Sequence, residues 1–115
     1  MSPVDHLADA VLLAAADDPL PLGVVLLWAR ETAPAQQRDD RELAAEVLDE
    51  LLTGGWAVAG STTPSGFARW ELEPGEAYRR ILRICEESEW STFTDAHGIV
   101  ATDEGVVRAD SGGVS

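Results

Sequence analysis

The sequence predicts a mostly helical α+β fold, in which three helices are followed by a β-hairpin and a fourth helix. Two observations lead to this class: apolar residues recur at helical spacing in several segments, and two short strand-like runs flank a turn-rich segment. With 115 residues, 45% of them apolar, the chain can bury one modest core. We therefore assign residues 1–110 to a single domain and 111–115 to a flexible tail.

The first helix is predicted from its capping residues and its apolar stripe. Ser2 can cap the helix, Pro3 suits its first position, and apolar side chains share one face through residues 4–15. Asp17-Asp18-Pro19 ends it.

A second helix is predicted from Pro21 to Thr32, where the residues are apolar nearly all round. A short buried strand would show the same pattern, but Arg30-Glu31-Thr32 and the stop at Pro34 favour a buried helix. A chain of this size has few elements to cover every side of such a helix, so part of it is a candidate homodimer contact.

The third helix, Asp40 to Thr53, has signals at both ends. Asp39 offers an N-cap with Glu42 three residues later, a capping-box pattern, and Gly54-Gly55 ends the helix. Its apolar stripe comprises Leu43, Ala44, Val47, Leu48, Leu51 and Leu52.

The hairpin is predicted from a strand over Trp56 to Gly60, a turn over Ser61 to Gly66 and a returning strand over Phe67 to Glu73. Alternation divides the returning strand between a packed face and a solvated face. The packed face would carry Ala68, Trp70 and Leu72, and the solvated face Phe67, Arg69, Glu71 and Glu73.

Helix four is predicted from Pro74 toward Trp90, with Cys85 on its apolar stripe as a buried structural thiol. Beyond it two alternatives stay open. Residues 99–101 could form a strand, with Thr102 capping a helix through Arg108, or the same segment could form a hairpin about Asp103-Glu104-Gly105.

Two segments resemble the winged helix-turn-helix family. Arg41 to Val58 is a helix that runs through glycine into a strand, and Ala101 to Gly105 looks like the Thr-x-x-Gly segment that opens a C-terminal helix in such regulators. Together with the order of elements, the resemblance covers roughly residues 4–90. It implies a winged-helix-like fold whose third helix enters the major groove and whose hairpin wing brings cations to phosphate.

The charge of the chain opposes DNA binding. Twenty-one Asp and Glu against eight basic residues, all of them Arg, give a formal charge of −13, which disfavours nucleic acid and anionic membranes as partners. The wing tip, residues 62–66, has no cation. The exposed side of helix three carries Glu42, Ala45, Glu46, Asp49, Glu50 and Thr53.

We therefore predict a protein-interaction module that binds a basic partner through helix 40–53, as an immunity protein, an antitoxin-like inhibitor or a DNA mimic would. Trp90, which lies amid acidic residues, is the candidate for an exposed aromatic anchor. The predicted partner-binding residues are Glu42, Glu46, Asp49, Glu50 and Trp90.

Two alternatives belong to other classes. A winged-helix DNA-binding regulator would have to use Arg69, Arg79, Arg80 and Arg83, although the spacing of Glu76–Arg80 and Arg83–Glu87 predicts helical ion pairs that offset most of this charge. A small-molecule sensor would use the tryptophan-rich core. Its aromatic residues would be Trp28, Trp56 and Trp70, which we otherwise expect to fill the core.

The sequence contains no constellation typical of an enzyme, and we predict neither a metal nor a cofactor. His6 and His97 are isolated in sequence, and one cysteine cannot form an intramolecular disulfide. The most apolar run, Pro19 to Ala29, is far shorter than the roughly 20 residues that span a bilayer. The chain start lacks the positive charge of a secretory signal, so we expect a cytoplasmic protein.

Overall fold

A computed structural model describes residues 3–92 and 96–112 of the chain. Over these residues the chain is an α+β structure with five α-helices, one 3-10 turn and a four-stranded antiparallel sheet, which confirms the predicted class. The elements are α1 Pro3–Ala14, β1 Leu20–Pro21, α2 Leu22–Thr32, the 3-10 turn Ala33–Gln36, α3 Asp40–Thr53, β2 Ala57–Thr63, β3 Gly66–Arg69, α4 Pro74–Glu87, β4 His97–Ala101 and α5 Asp103–Gly112.

The sheet has the strand order β1-β4-β2-β3, so a strand late in the chain lies in its middle. β2 and β3 form the predicted hairpin, with Thr63 opposite Gly66 across a two-residue turn. β4 pairs with β2 on one side, with Ser61 opposite His97, and with the two-residue β1 on the other.

The core lies between the helices and one face of the sheet. The apolar stripe of α1 is buried from Leu7 to Ala15, and all six apolar residues predicted for α3 are buried. No polar or charged side chain is buried among the described residues. The largest fully buried side chains are Leu12, Leu22, Leu43, Leu48, Leu51, Ile81, Ile99, Val11, Val25, Val47 and Cys85.

Capping explains why α3 has the predicted bounds. The Asp39 carboxylate accepts hydrogen bonds from the backbone N–H groups of Arg41 at 2.9 Å and Glu42 at 3.1 Å. At the other end the N–H of Trp56 donates to the Leu51 carbonyl, and Gly55 has a φ of +78°. This left-handed glycine satisfies the last carbonyls of the helix and turns the chain into β2.

Of the two alternatives for the last segment, the strand and helix are right and the hairpin is wrong. β4 ends at Ala101, and the Thr102 hydroxyl caps α5 by accepting the N–H of Gly105 at 3.1 Å. Gly105 lies against the backbone of Trp56, in the connection between α3 and β2, and an added Cβ would come within 2.0 Å of the Trp56 carbonyl oxygen. α5 begins with a close backbone contact that glycine allows.

The returning strand and the fourth helix are both shorter than predicted. β3 ends at Arg69, and Ala68 and Leu72 are exposed rather than packed. The backbone N–H of Trp70 still donates to the Ala59 carbonyl, and the chain leaves the sheet after this bond. Pro74 then begins α4. α4 ends at Glu87, and Glu89 and Trp90, shortly after it, both have a positive φ.

At the chain ends, the predicted Ser2 cap and residues 113–115 of the predicted tail lie outside the described residues. Residues 111–112 are part of α5.

α2 is confirmed as a helix that the rest of the chain covers on most sides. Leu22, Val25 and Leu26 are buried, whereas Leu27 is 39% exposed. Leu27 and the partly buried Trp28 are the large apolar side chains of α2 with exposed surface, and the homodimer contact through part of this helix stays a prediction.

Candidate functional site

Three of the four predicted acidic residues line one exposed ridge of α3. We call Glu42, Glu46 and Asp49 the acidic ridge. The side chains of Glu42 and Glu46 are 64% and 43% exposed, and Asp49 is also exposed. Their helical spacing places all three carboxylates on the same side of the helix.

One arginine partly neutralises this ridge. Arg38, in the loop before α3, contacts Glu46 at 2.5 Å and Glu42 at 3.5 Å. The hydrogen bond to Glu46 is the main reason why the pKa of Arg38 is raised. Asp49 has no salt bridge within the described residues, and its carboxylate contacts the Thr53 hydroxyl instead. The ridge therefore keeps a net negative charge.

A tyrosine borders the acidic ridge. Tyr78 of α4 is partly buried and packs against the core. Burial raises the pKa of Tyr78, and the nearby charges of Asp49 and Glu46 raise it further. A neutral aromatic ring thus lies beside the carboxylates.

Glu50, also predicted as a partner-binding residue, belongs to a different cluster. Arg108 of α5 contacts Asp9 at 2.9 Å, Glu50 at 3.1 Å and Asp5 at 3.5 Å, and it lies 5.0 Å from the Trp56 ring centre. We call this the Arg108 cluster. Arg108 is only 17% exposed, and its contacts join residues of α1, α3 and α5. Glu50 therefore takes part in the contacts that hold these three helices together.

A groove between α4 and β4 contains three of the four arginines predicted for the DNA-binding regulator. We call it the arginine groove; it has a volume of about 420 Å³. Its walls are formed by Glu76, Arg79, Arg80, Arg83, Ile84, Glu87 and His97.

The predicted helical ion pairs of α4 are absent. Within the described part of the chain, no salt bridge joins Arg79, Arg80 or Arg83 to a carboxylate, although Glu76 and Glu87 lie at helical spacing. The guanidinium of Arg80 instead lies 4.1 Å above the Trp70 ring.

Arg69 does not join the other three arginines. On β3 it is the sequence neighbour of Trp70, and alternation along the chain directs the two side chains to opposite faces of the sheet. Arg69 accordingly lines a groove with Val58 and Phe67 on the other face.

A hydrogen-bonded chain supports the floor of the arginine groove. The indole N–H of Trp70 donates to the Ser61 hydroxyl oxygen at 2.8 Å, and this oxygen lies 3.1 Å from Nδ1 of His97. The Trp70 and His97 rings are 5.8 Å apart. Burial, and then the charge of Arg80, lower the pKa of His97. Sequence reasoning missed this role of His97, because its partners are distant in sequence.

The four tryptophans lie at different places on the surface of the core. All are partly buried, including Trp90, which the sequence suggests as an exposed anchor. Trp28 borders a groove with His6, whereas Trp56 borders one with Val107. The described residues thus do not bring them into one tryptophan-lined pocket.

The remaining titratable groups offer little chemistry in the described part of the chain. Cys85 is fully buried, as predicted, and burial raises the pKa of its thiol to about 12. The described residues include no group of three potential metal ligands. None of the described helices combines the length and the apolar character needed to cross a membrane.

Comparison with protein-family models, with curated proteins and with solved structures finds no match for this chain.

Proposed function

We propose that this protein is an acidic, winged-helix-like interaction module that docks on a basic protein partner through the acidic ridge of α3. The observation that carries the proposal is the row of exposed carboxylates of Glu42, Glu46 and Asp49, which Arg38 neutralises in part. An immunity protein, an antitoxin-like inhibitor or a DNA mimic would present such a surface.

The element order supports the winged-helix comparison. Three helices precede a hairpin, and α3 leads through glycine into β2, as the resemblance implies for the helix that reads DNA. Here that helix presents acidic side chains. Phosphate would be repelled from such a surface, whereas Lys and Arg side chains of a partner would be attracted to it.

The position of the charges on α3 argues against a purely structural role. Asp39 and Glu42 stabilise the start of the helix, where negative charge is favourable. Asp49 lies near its end, where negative charge is unfavourable, and the last turn has no basic residue. A basic side chain of a partner would offset this unfavourable position of Asp49, which has no salt bridge within the described residues.

The surroundings of the ridge suit docking. Tyr78 adds a partly buried aromatic ring, a residue type enriched at interface hot spots. An incoming guanidinium or ammonium group could pair with Asp49 and replace Arg38 beside Glu46. Complementary charge would mainly increase the association rate.

The test is a charge reversal with a matched control. The tagged E46R/D49R variant is incubated with nuclease-treated lysate of the native host and compared with D17R/D18R, which makes the same charge change in the exposed turn after α1. We expect the wild type and the control to retain a stoichiometric basic protein that E46R/D49R loses. Equal retention by E46R/D49R, checked for folding by thermal unfolding, would refute the proposal.

One observation favours a second candidate, a winged-helix DNA-binding regulator. Arg79, Arg80 and Arg83 have no carboxylate partner among the described residues and could contact phosphate, with Arg69 restricted to the other face of the sheet. This candidate requires duplex binding at low salt that weakens steeply as salt increases. No binding to fragments of the host genome at low salt would eliminate it.

A further inference from the structure

We infer that the arginine groove is a binding site for a small ligand that carries a phosphate group. The proposal is independent of the acidic ridge, because it uses other residues on another helix. It is supported by the arginines of α4, which form no salt bridge with a described residue, by the side chains that hold one of them in place, and by the charge distribution around the groove.

The first support is the lack of carboxylate partners. Arg38 and Arg108 each contact two or three carboxylates, whereas Arg79, Arg80 and Arg83 contact none within 4.0 Å in the described part of the chain. A guanidinium offers five N–H donors in a planar fork that matches the oxygens of phosphate. The groove thus contains three guanidinium groups that form no salt bridge with a described carboxylate.

The second support is the rigid floor of the groove. Arg80 lies on Trp70, whose indole N–H is bonded to the Ser61 hydroxyl. The Ser61 oxygen also lies 3.1 Å from Nδ1 of His97, so one hydroxyl links Trp70 to the imidazole that lines the groove. Holding donors in place before the ligand arrives lowers the entropy lost on binding.

The third support concerns ligand size. The charges of α4 cancel, because Arg79, Arg80 and Arg83 are balanced by Glu76, Glu86 and Glu87. A small dianion held among the arginines is within contact distance of them, while more distant acids are screened beyond about 8 Å at physiological ionic strength. Glu76 and Glu87 line the groove as well, so three arginines against two glutamates leave its lining with a net positive charge. A duplex would extend past this lining over a chain of net charge −13. A volume of about 420 Å³ also suits a small molecule.

The test uses inorganic phosphate as the probe and the indole N–H signals of the four tryptophans as the readout. Phosphate is titrated at constant ionic strength, with chloride as the comparison anion, into uniformly ¹⁵N-labelled protein. We expect a saturable shift of the Trp70 signal, because Trp70 lies under Arg80, and little change at Trp28, which borders another groove.

Two double variants with equal charge change locate the site. R80Q/R83Q removes two groove arginines, and R30Q/R41Q removes two exposed arginines of α2 and α3. We expect R80Q/R83Q to weaken phosphate binding by at least about tenfold and R30Q/R41Q to leave it within about twofold. R80K, which keeps the charge but loses the fork, should bind with intermediate affinity.

Four results would overturn the inference. The first is the absence of saturation in the millimolar range in wild-type protein whose folding is confirmed by its spectrum. The second is an equal response to chloride, and the third is an equal loss in both double variants. The fourth comes from titrating a mononucleotide and DNA duplexes of increasing length: binding that strengthens with duplex length and is much tighter than that of the mononucleotide would assign the groove to nucleic acid.

Discussion

The arginines of this protein have different environments on two sides of the molecule. Arg108 lies within a cluster of carboxylates contributed by α1 and α3, whereas Arg79, Arg80 and Arg83 lie exposed on α4. Glutamates at helical spacing on α4 do not pair with their arginines, but Asp9, 99 residues away in sequence, pairs with Arg108. For Arg108 and the arginines of α4, tertiary placement determines which side chain is neutralised, and helical spacing does not.

The two environments have different energetic consequences. Arg108 is mostly buried and removes the repulsion between carboxylates that the fold brings together. The arginines of α4 are solvated, so their ion pairs would contribute little to stability even if they formed. The first side stabilises the fold, and the second leaves its charges available for a ligand.

The largest effect is expected from disturbing the contact that positions α5. G105A would place a Cβ 2.0 Å from the Trp56 carbonyl oxygen and 3.0 Å from Leu12, so α5 and Arg108 would have to move. We expect a loss of about 3 kcal/mol in the free energy of unfolding, measured by urea denaturation. G75A on α4, where the nearest atom is the Arg79 guanidinium at 3.9 Å, is the control and should be neutral or stabilising. Equal losses in the two variants would contradict the comparison.

Removing the central cation of the Arg108 cluster should have the next largest effect. R108A leaves Asp5, Asp9 and Glu50 close together and removes the contact with Trp56. Since Asp5 and Glu50 are about half exposed, we expect a moderate loss of about 2 kcal/mol by urea denaturation. High salt should reduce this loss by screening the carboxylates. A loss below about 0.5 kcal/mol would show that the cluster is not stabilising.

A smaller effect is expected from the pH dependence of His97. Its pKa is lowered in the folded protein, so below the ordinary value near 6.5 the unfolded chain binds the proton more readily. The free energy of unfolding should therefore fall as the pH drops below that value. In H97Q the decrease that comes from protonating His97 should be absent. Urea midpoints at about pH 7.5 and 5.5, in buffers free of phosphate, measure the difference. An identical pH dependence in H97Q would contradict this assignment.

The smallest effect is expected on α4. R83Q removes an exposed arginine that has no salt bridge among the described residues, so unfolding free energy should change by less than about 0.5 kcal/mol. The same substitution should nevertheless weaken phosphate binding. A stability loss comparable with that of R108A would show that the two sides do not differ.

Local signals explain what the sequence predicted well. The bounds of α3 follow from the Asp39 cap and from the left-handed Gly55, both of which act within a few residues. The burial of Cys85 follows from helical periodicity in the same way. For the segment around Thr102, local signals allowed either a capped helix or a hairpin. The hydrogen bonds from the Thr102 hydroxyl to the distant carbonyls of Gly55 and Trp56 favour the helix.

Features that depend on distant partners could not be predicted. β1 has two residues and is a strand only because Leu20 pairs with Ile99. The role of Glu50 depends on Arg108, and that of His97 depends on Ser61. The predicted ion pairs of α4 were wrong because spacing along a helix permits a contact without requiring it. The acidic ridge was predicted in large part, since exposure and charge along α3 are local properties.

The place of β4 in the sheet also determines the order in which the chain can fold. The β2–β3 hairpin can pair as soon as residues 57–69 are made, but β1 has no neighbour until residues 97–101 follow. Such non-local pairing slows folding. On the ribosome the sheet of the described residues stays incomplete until β4 has emerged. The salt bridge between Arg108 and Asp9 can form only after that, when α5 follows β4 and meets α1.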